Sequence, residues 1–477
     1  MIERILLTLM VGTSLTGAAA AQEAPPTPEA PAAALEPVEL TEAEALAQDA
    51  AIYSRAYDVS LDEAMRRLLV MHDSADQVAS IERGNSDKVA GMAFVNRGEF
   101  SLRVHSTSAM SAPGELRRRG RPMKVGKPRR ELAATNRAAR VKIDDATVAK
   151  AEAAIAADSA APVRVVANAK ANRGQLQSQL KRELPRLEAL PGFEFATLDE
   201  SIGGILVMFN GDPATQPERE AEVAAILSAP FTVNFAPGGF KDVAIYGGMT
   251  VQELGQTFCM TGFSAIRSSD QKSGVITAAH CATPNQITIR DSGGSTYNLT
   301  QGLKKQDNFG DIMFLSGTPT ATAQFRYDST GSLRTVTGTR SRSATAVSNG
   351  TISSPGTTIG SFVCHLGQDY NRSTYHVQSC GEVIATGSPS GYNDTDKTSG
   401  GYVLVRNTQS GAGTVRSTGY GTLKCFRGDS GGPWFANTIA FGVTAQCNWW
   451  DGAETIAMWA KYTSVDLFHY IGVTIRM

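Results

Sequence analysis

The cysteines are the feature that most restricts how this chain can fold. All six lie in its C-terminal half: Cys259, Cys281, Cys364, Cys380, Cys425 and Cys447. In an exported protein an even number of cysteines indicates disulfide bonds, although six cysteines allow 15 pairings. We favour pairing between sequence neighbours: Cys259 with Cys281, Cys364 with Cys380, and Cys425 with Cys447. Each bond would stabilise the fold by about 3 kcal/mol.

The N-terminus predicts export of the chain. Residues 1–21 contain a basic residue, a short apolar run from Ile5, and small residues ending at Ala21, which is the pattern of a secretory signal peptide cut after Ala21. The apolar run is shorter than the roughly 20 residues of a membrane-spanning helix. We therefore expect a soluble mature protein, secreted or periplasmic, in an oxidising compartment.

The overall charge excludes some classes of partner. The chain has 45 Lys and Arg against 46 Asp and Glu, a net charge of -1. This balance gives no sign of nucleic-acid or membrane binding. The sequence has no CxxC or HxxxH spacing, so a zinc site is not favoured, and we expect neither a metal nor a cofactor.

We expect a monomer.

The first half of the chain predicts a Pro/Ala-rich linker at residues 22–40 and an α+β segment at residues 41–240. The run VSLDEAMRRLLVMH predicts a helix with a capping box formed by Ser60 and Glu63. The run MAFVNRGEFSLRV predicts a hairpin, and further elements follow: strands at 163–166, 193–196 and 205–209, and a helix over 175–184. The segment is either one unit or two subdomains, separated by a basic linker at about 112–145.

Residues 241–477 differ in character, being rich in Gly, Ser and Thr with short alternating apolar runs. That pattern is typical of an all-β barrel or sandwich. All six cysteines lie in this segment, so the two halves are expected to do different jobs.

The stretch CFRGDSGGPWF surrounds one hydroxyl, that of Ser430, with three glycines. Glycine lets main-chain N–H groups approach a neighbouring group closely, which a charged reaction intermediate beside a serine nucleophile would need. A serine hydroxyl also needs a base to remove its proton, and histidine is the usual one near neutral pH.

His280 is the strongest candidate for that base. The run GVITAAHC places it after a strand-like segment and next to Cys281, whose disulfide would fix its position. The other histidines of this segment are His365, His376 and His469. An orienting carboxylate is expected as well, and DNFGDIMFL offers Asp307 and Asp311. We favour Asp311, because it directly precedes an apolar strand.

The motifs TAAHC, DIMFL and GDSGGP, in that order, resemble the chymotrypsin-fold serine proteases. The separation of 31 residues between His280 and Asp311, the run SFVCHLGQDYNRSTYHVQSCGEV and the closing YIGVTI resemble the bacterial streptogrisin and alpha-lytic protease branch. The resemblance covers about residues 240–477, and VSLDEAMRRL looks like the pro-region of that branch.

The resemblance implies an all-β fold of two six-stranded antiparallel barrels, with His280 and Asp311 on the first barrel and Ser430 on the second. It implies an oxyanion hole made by the backbone N–H groups of Gly428 and Ser430, and a structural role for Asp429. The segment 41–240 would then be a pro-region that aids folding, inhibits the enzyme, and is removed near Gly238 to Gly247.

The resulting hypothesis is a secreted serine endopeptidase made as a proenzyme, which acts on proteins or peptides through an acyl-enzyme. Residues 422–424 before Cys425 lack the acidic side chain of basic-residue cleavers, so we expect a preference for apolar or small side chains. Two alternatives stay open: an esterase using the same triad, and a non-catalytic binding protein on a protease scaffold.

Overall fold

A computed structural model describes most of the chain from residue 40 onward. The described residues are 40–120, 143–236 and 241–477, the last range without 243–247, 254–255, 285, 291–295, 318–320, 328–332, 343–344, 347–351, 355, 370–373, 376–377, 390–399, 409–422, 427 and 450–456. The predicted signal peptide, nearly all of the linker, residues 121–142 of the basic segment and most of the predicted cleavage region lie outside them. The described residues belong to one compact unit. Their helices include none with the length and apolarity to cross a membrane.

The described residues of the N-terminal segment form the α-helices α1 (Glu42–Tyr57), α2 (Leu61–Asp73), α3 (Ala75–Gly84), α4 (Asp145–Ala156), α5 (Arg173–Glu188) and α6 (Gln216–Ala224). The predictions of α2 and α5 are confirmed. At the start of α2 the Ser60 hydroxyl accepts the amide of Glu63 at 3.2 Å. The reciprocal half of the predicted capping box is wrong, because the Glu63 carboxylate binds Arg66 and Arg67 instead.

Helix α1 was not among the sequence predictions. It begins with a complete capping box, in which Thr41 Oγ1 accepts the Glu44 amide at 3.2 Å and Glu44 Oε2 accepts the Thr41 amide at 2.9 Å. Most residues of α1 are buried, and they lie on several faces of the helix. Its sequence therefore lacks the one-sided apolar stripe that is typical of a surface helix.

The N-terminal segment also contains two small sheets, formed by β1 (Val89–Val95), β2 (Ser101–Ser106), β3 (Glu115–Arg118), β4 (Ser159–Val166), β5 (Phe193–Asp199), β6 (Gly204–Phe209) and β7 (Phe231–Phe235). Their orders are β1-β2-β4-β3 and β5-β6-β7. The predicted hairpin is confirmed, since β1 and β2 pair antiparallel with Val95 opposite Ser101. The basic segment predicted as a linker begins with a strand, β3, which pairs with β4.

The strands of the first half of the C-terminal segment are β8 (Lys241–Asp242), β9 (Thr250–Glu253), β10 (Gln256–Met260), β11 (Ser264–Arg267), β12 (Ser273–Thr277), β13 (Ile287–Arg290), β14 (Thr296–Asp307), β15 (Gly310–Gly317), β16 (Gln324–Arg326), β17 (Leu333–Thr335), β18 (Gly338–Thr339), β19 (Thr345–Ala346) and β20 (Ile352–Ser354). Those of the second half are β21 (Phe362–His365), β22 (Gln368–Asp369), β23 (Thr374–Tyr375), β24 (Ser379–Ser388), β25 (Tyr402–Arg406), β26 (Pro433–Ala436), β27 (Ile439–Trp449), β28 (Ala457–Ser464) and β29 (Val473–Ile475).

Most of these strands form two large sheets, and β16–β17, β19–β20 and β22–β23 form separate two-stranded pairs. The first has the order β10-β9-β13-β14-β15-β12-β11-β29, so the chain's last strand completes the edge of the sheet that its early strands begin. In the second, β27-β26-β21-β24-β25-β28 closes on itself through pairing of β27 with β28. The predicted double barrel after an α+β segment is confirmed. The second barrel closes with six strands, whereas the first is traced in the described residues as an open path of eight.

The three predicted disulfides are confirmed: Cys259–Cys281, Cys364–Cys380 and Cys425–Cys447, with sequence separations of 22, 16 and 22 residues. The first disulfide links the short helix that follows β12 to strand β10. The second links the paired strands β21 and β24, and the third fixes the residues before the Ser430 turn to β27.

The N-terminal segment shares its core with the barrels. One hydrophobic cluster joins Tyr53 and Met65 to Phe362 and Phe435, and the rings of Tyr53 and Phe362 lie 5.2 Å apart, edge to face. A second cluster packs side chains of β5 and β6 against Leu404 and Trp459 of the second barrel. The division into a pro-region and a protease domain stays a prediction.

Candidate active site

Three elements bring the candidate residues together. His280 lies in a one-turn 3-10 helix, Ala279–Cys281, directly after β12. Asp311 is the second residue of β15, which pairs with β12 in the first barrel. Ser430 lies in the turn before β26 of the second barrel. The candidate site therefore lies where the two barrels meet.

The imidazole of His280 contacts both other side chains. Its Nδ1 donates to Asp311 Oδ2 at 2.5 Å, and its Nε2 accepts from the Ser430 hydroxyl at 2.6 Å. These contacts join residues 31 and 150 positions apart in sequence. One ring nitrogen thus faces a carboxylate while the other faces a hydroxyl, the arrangement in which a histidine can remove a serine proton.

Asp311 is held rigidly. Its carboxylate is fully buried, and Oδ1 accepts the backbone amides of Ala279 at 2.8 Å and His280 at 3.0 Å. Its own amide donates to Thr463 Oγ1 at 3.0 Å. Because the two amides occupy Oδ1, Oδ2 is directed at the imidazole. Sequence analysis did not identify Thr463, which lies 152 residues further along the chain and carries no local motif.

The alternative carboxylate has different surroundings. Asp307 is exposed over 40 % of its side chain and pairs with Lys305 at 2.5 Å. Its Oδ1 accepts the amide of Phe309 at 2.8 Å, which stabilises the β14–β15 turn. The structure therefore places Asp311, and not Asp307, against His280.

The turn around Ser430 uses conformations that favour glycine. Gly428 has a φ of 124° and Gly431 a φ of 85°. A Cβ on Gly431 would lie 2.2 Å from the carbonyl oxygen of Met260, so the turn packs too closely against the first barrel for any side chain there. In the described part of the chain, the amides of Gly428 and Ser430 have no hydrogen-bond acceptor, whereas that of Gly431 donates to the Thr444 carbonyl at 2.8 Å. These are the two amides predicted to form an oxyanion hole.

Asp429 directly precedes Ser430 in the nucleophile turn. It is fully buried, and its Oδ2 accepts the amide of Phe426 at 3.0 Å. That bond fixes the chain between the Cys425 disulfide and the turn. The structural role that the resemblance implies for Asp429 stays a prediction.

His365 has a packing role. It is buried and stacked on Trp434 at 4.6 Å between ring centroids, and its Nε2 donates to the Lys424 carbonyl at 2.6 Å. Burial lowers its pKa to about 4. His72 of α2 packs on Phe441, and burial lowers its pKa to about 4 too. His376 lies outside the described residues, and His469 is exposed.

Because His72 and His365 are buried with lowered pKa values, we expect the folded protein to be less stable in acid. The unfolded chain takes up their protons below about pH 6.5, whereas the folded chain does so only near pH 4. The free energy of unfolding should therefore fall as the pH drops from about 6.5 to 4, by on the order of 3 kcal/mol for each histidine, and show no effect of them above pH 7.

Urea unfolding of the Ser430→Ala chain between pH 4 and 8 would measure this dependence. His72→Gln should flatten the curve, and the exposed His469→Gln should not. Equal curves for all three chains would contradict the prediction.

The contacts of the described residues around His280, Asp311 and Ser430 outline neither a metal site nor a specificity pocket. No group of three or more His, Cys, Asp or Glu side chains is placed to hold a metal ion in the ranges described above. Of the residues used to predict substrate preference, 422–424, the first lies outside the described residues.

Comparison with known proteins adds a likeness of fold. The sequence matches no protein-family profile and no curated protein. Among solved structures, the chain is similar to a Nocardiopsis protease, with 20 % identity, a TM-score of 0.32, and coverage of 49 % of this chain and 99 % of that one. It is also similar to Thermobifida fusca protease A, with 19 % identity, a TM-score of 0.32, and coverage of 49 % and 98 %. A third similar structure is Cellulomonas bogoriensis chymotrypsin, with 21 % identity, a TM-score of 0.31, and coverage of 48 % and 97 %. Identity and TM-score are low, and the double-barrel fold of this chain is established by its own strand pairings.

Proposed function

We propose that this protein is a secreted serine endopeptidase, made as a proenzyme, that hydrolyses peptide bonds through an acyl-enzyme. The observation that carries this proposal is the position of the His280 imidazole, which is hydrogen-bonded at once to the Asp311 carboxylate and the Ser430 hydroxyl. A base between a buried acid and a hydroxyl converts a weak nucleophile into a strong one.

In the first half of the reaction, Ser430 Oγ attacks the carbonyl carbon of the scissile bond while its proton passes to His280 Nε2. The imidazolium that forms is stabilised by Asp311, which also keeps the Nδ1 proton in place. His280 then gives the Nε2 proton to the leaving amine, the C–N bond breaks, and the acyl group stays on Ser430 as an ester.

The second half repeats these steps with water. His280 takes a proton from a water molecule, the hydroxide attacks the ester, and the Ser430 oxygen leaves with the proton returned by His280. In both halves, negative charge develops on the substrate's carbonyl oxygen. The amides of Gly428 and Ser430, which have no hydrogen-bond acceptor among the described residues, would donate to that oxygen. Loss of one such donor typically costs about 3–4 kcal/mol of transition-state stabilisation.

Two reagents test the reaction class. A radiolabelled organophosphate should modify Ser430. A non-catalytic binding protein on this scaffold would not be labelled. Casein should be digested, whereas an esterase with the same triad would hydrolyse small esters and leave casein intact. Absence of labelling would refute the enzyme hypothesis.

The compartment and the proenzyme form belong to the same proposal. Three disulfides support an oxidising compartment outside the cytoplasm, and we expect a monomer. Inhibition of the enzyme by the N-terminal segment is part of this proposal and follows from the resemblance of that segment to a pro-region.

The N-terminal segment should also assist folding of the barrels. The triad joins residues up to 150 positions apart, and folds dominated by such non-local contacts form slowly. We expect residues 243–477, expressed alone under oxidising conditions, to recover protease activity far more slowly than the whole chain. Adding the segment 41–240 in trans should restore recovery.

The control for this prediction is an unrelated globular protein added at the same concentration, which should not restore recovery. Rapid activation of residues 243–477 alone would refute the folding role and favour an independent N-terminal domain that stays attached.

A further inference from the structure

A buried ion pair joins helix α1 to the C-terminal segment. Asp49 of α1 is 2 % exposed and Arg334 of β17 is fully buried. Arg334 contacts both carboxylate oxygens of Asp49, through Nη2 at 2.9 Å and Nη1 at 3.3 Å. Two-point contacts of this kind are the most specific way in which a protein recognises a carboxylate.

The remaining acceptor sites of Asp49 are also filled from the C-terminal segment. Gln378 Nε2 donates to Oδ1 at 2.7 Å, and the amide of Asn437 donates to Oδ2 at 2.6 Å. Each oxygen of Asp49 thus accepts two hydrogen bonds, and all four donors lie in residues 334–437. The carboxylate is bound as a ligand would be.

Arg334 is held in place by its own segment. Its Nη1 donates to the Asn437 carbonyl at 2.8 Å. Its guanidinium carbon lies 4.4 Å from the ring centroid of Tyr327 and 5.0 Å from that of Phe435. These contacts do not involve α1, so they would keep the guanidinium oriented with or without the helix. Helix α1 adds Gln48, whose Oε1 accepts from Nη2 at 2.8 Å.

We propose that Arg334, Gln378 and Asn437, with the rings of Tyr327 and Phe435, form a carboxylate-recognition site for the chain's own N-terminal segment, and that Asp49 is its anchor. This inference rests on the proposed function, in which the chain is cut between the two segments. After the cut, Asp49 holds the N-terminal part on the barrels, because its carboxylate accepts four hydrogen bonds from donors that all belong to the C-terminal segment.

The surroundings of the site fit a lasting interaction. The rings of Tyr53 and Tyr57 pack on Phe362, and the Tyr57 hydroxyl donates to Glu382 Oε2 at 2.6 Å. Strand β1 adds a backbone bond from Phe94 to the Ile359 carbonyl at 2.8 Å. A central charged anchor surrounded by aromatic contacts that exclude water is the arrangement in which one residue dominates binding.

The test uses the full chain with two changes that make cutting independent of its own activity. Ser430→Ala removes self-cleavage, and a recognition sequence for an added protease is inserted between residues 243 and 247. After cutting, the dissociation constant of the two fragments is measured by gel filtration and by binding of a fluorescently labelled N-terminal fragment. The parent fragments should co-elute at micromolar concentration.

Asp49→Asn should raise the dissociation constant at least about a hundredfold, since truncating one partner of a buried charge pair has effects of this size. The matched control is Asp62→Asn, an exposed acid paired with Lys150, which should change it less than about threefold. Circular dichroism before cutting shows whether each chain is folded. If the Asp49→Asn chain does not fold, Gln48→Ala, which removes only the Gln48 contact to Arg334, should give about a tenfold increase.

Equal effects of Asp49→Asn and Asp62→Asn, no effect of Gln48→Ala, or separation of the parent fragments after cutting would overturn the proposal. Failure of the proposed maturation is seen separately, as absence of self-cleavage in the chain with intact Ser430 and no inserted sequence.

Discussion

A chain in which Ser430 is replaced by alanine is expected to lose its peptide-hydrolysing activity by about a millionfold in kcat. The change removes the oxygen that would form the acyl-enzyme, and it adds no atoms to a turn that is fully buried. The barrels should therefore fold as before. Casein hydrolysis and organophosphate labelling measure the loss, and near-ultraviolet circular dichroism checks the fold.

Two companion variants sharpen this prediction. His280→Ala should be about as damaging as Ser430→Ala, because residues that act as a unit have strongly non-additive effects. Ser361→Ala, which alters another buried serine of the C-terminal segment, should keep activity. Turnover near that of the wild type in the Ser430→Ala chain would remove Ser430 from the mechanism.

Replacing Asp311 by asparagine should lower kcat by about ten-thousandfold. Asp311 Oδ1 accepts two backbone amides, so the oxygen of an asparagine amide would stay there and its NH2 group would face His280 Nδ1. Nδ1 would then have to accept, which moves the imidazole proton to Nε2. In that tautomer Nε2 cannot accept the Ser430 proton. Steady-state kinetics on a peptide substrate would measure the loss.

Asp307→Asn is the matched control, since it makes the same chemical change at the other acid of the same hairpin. Asp307 is partly exposed and contacts Lys305 and Phe309 instead of His280, so kcat should change by less than about threefold. Activity that depends on Asp307 and not on Asp311 would move the orienting role to Asp307.

Local sequence patterns predicted the parts of the candidate site that carry local signals. The glycines around Ser430 indicated a tight turn, and the apolar runs beside His280 and Asp311 indicated the strands that position them. The periodicity after Ser60 predicted α2, and the apolar residues that define it, Ala64, Met65, Leu68 and Leu69, are buried. Helix α1 was missed for the opposite reason, because it is buried on nearly all sides and shows little periodicity.

The amino-acid sequence by itself indicated an all-β C-terminal segment and three candidate residues, since each of these residues lies in a motif within a few positions. The double barrel was implied by the resemblance of those motifs to a known family, and the disulfide pairs were favoured among the 15 pairings that six cysteines allow. Only the tertiary structure decided which groups hold that site and join the two segments. Thr463 contacts Asp311 across 152 residues, and Asp49 contacts Arg334 across 285. A hydrogen bond between such distant residues depends on how whole strands and helices pack, and neither partner has a neighbour in sequence that could reveal it.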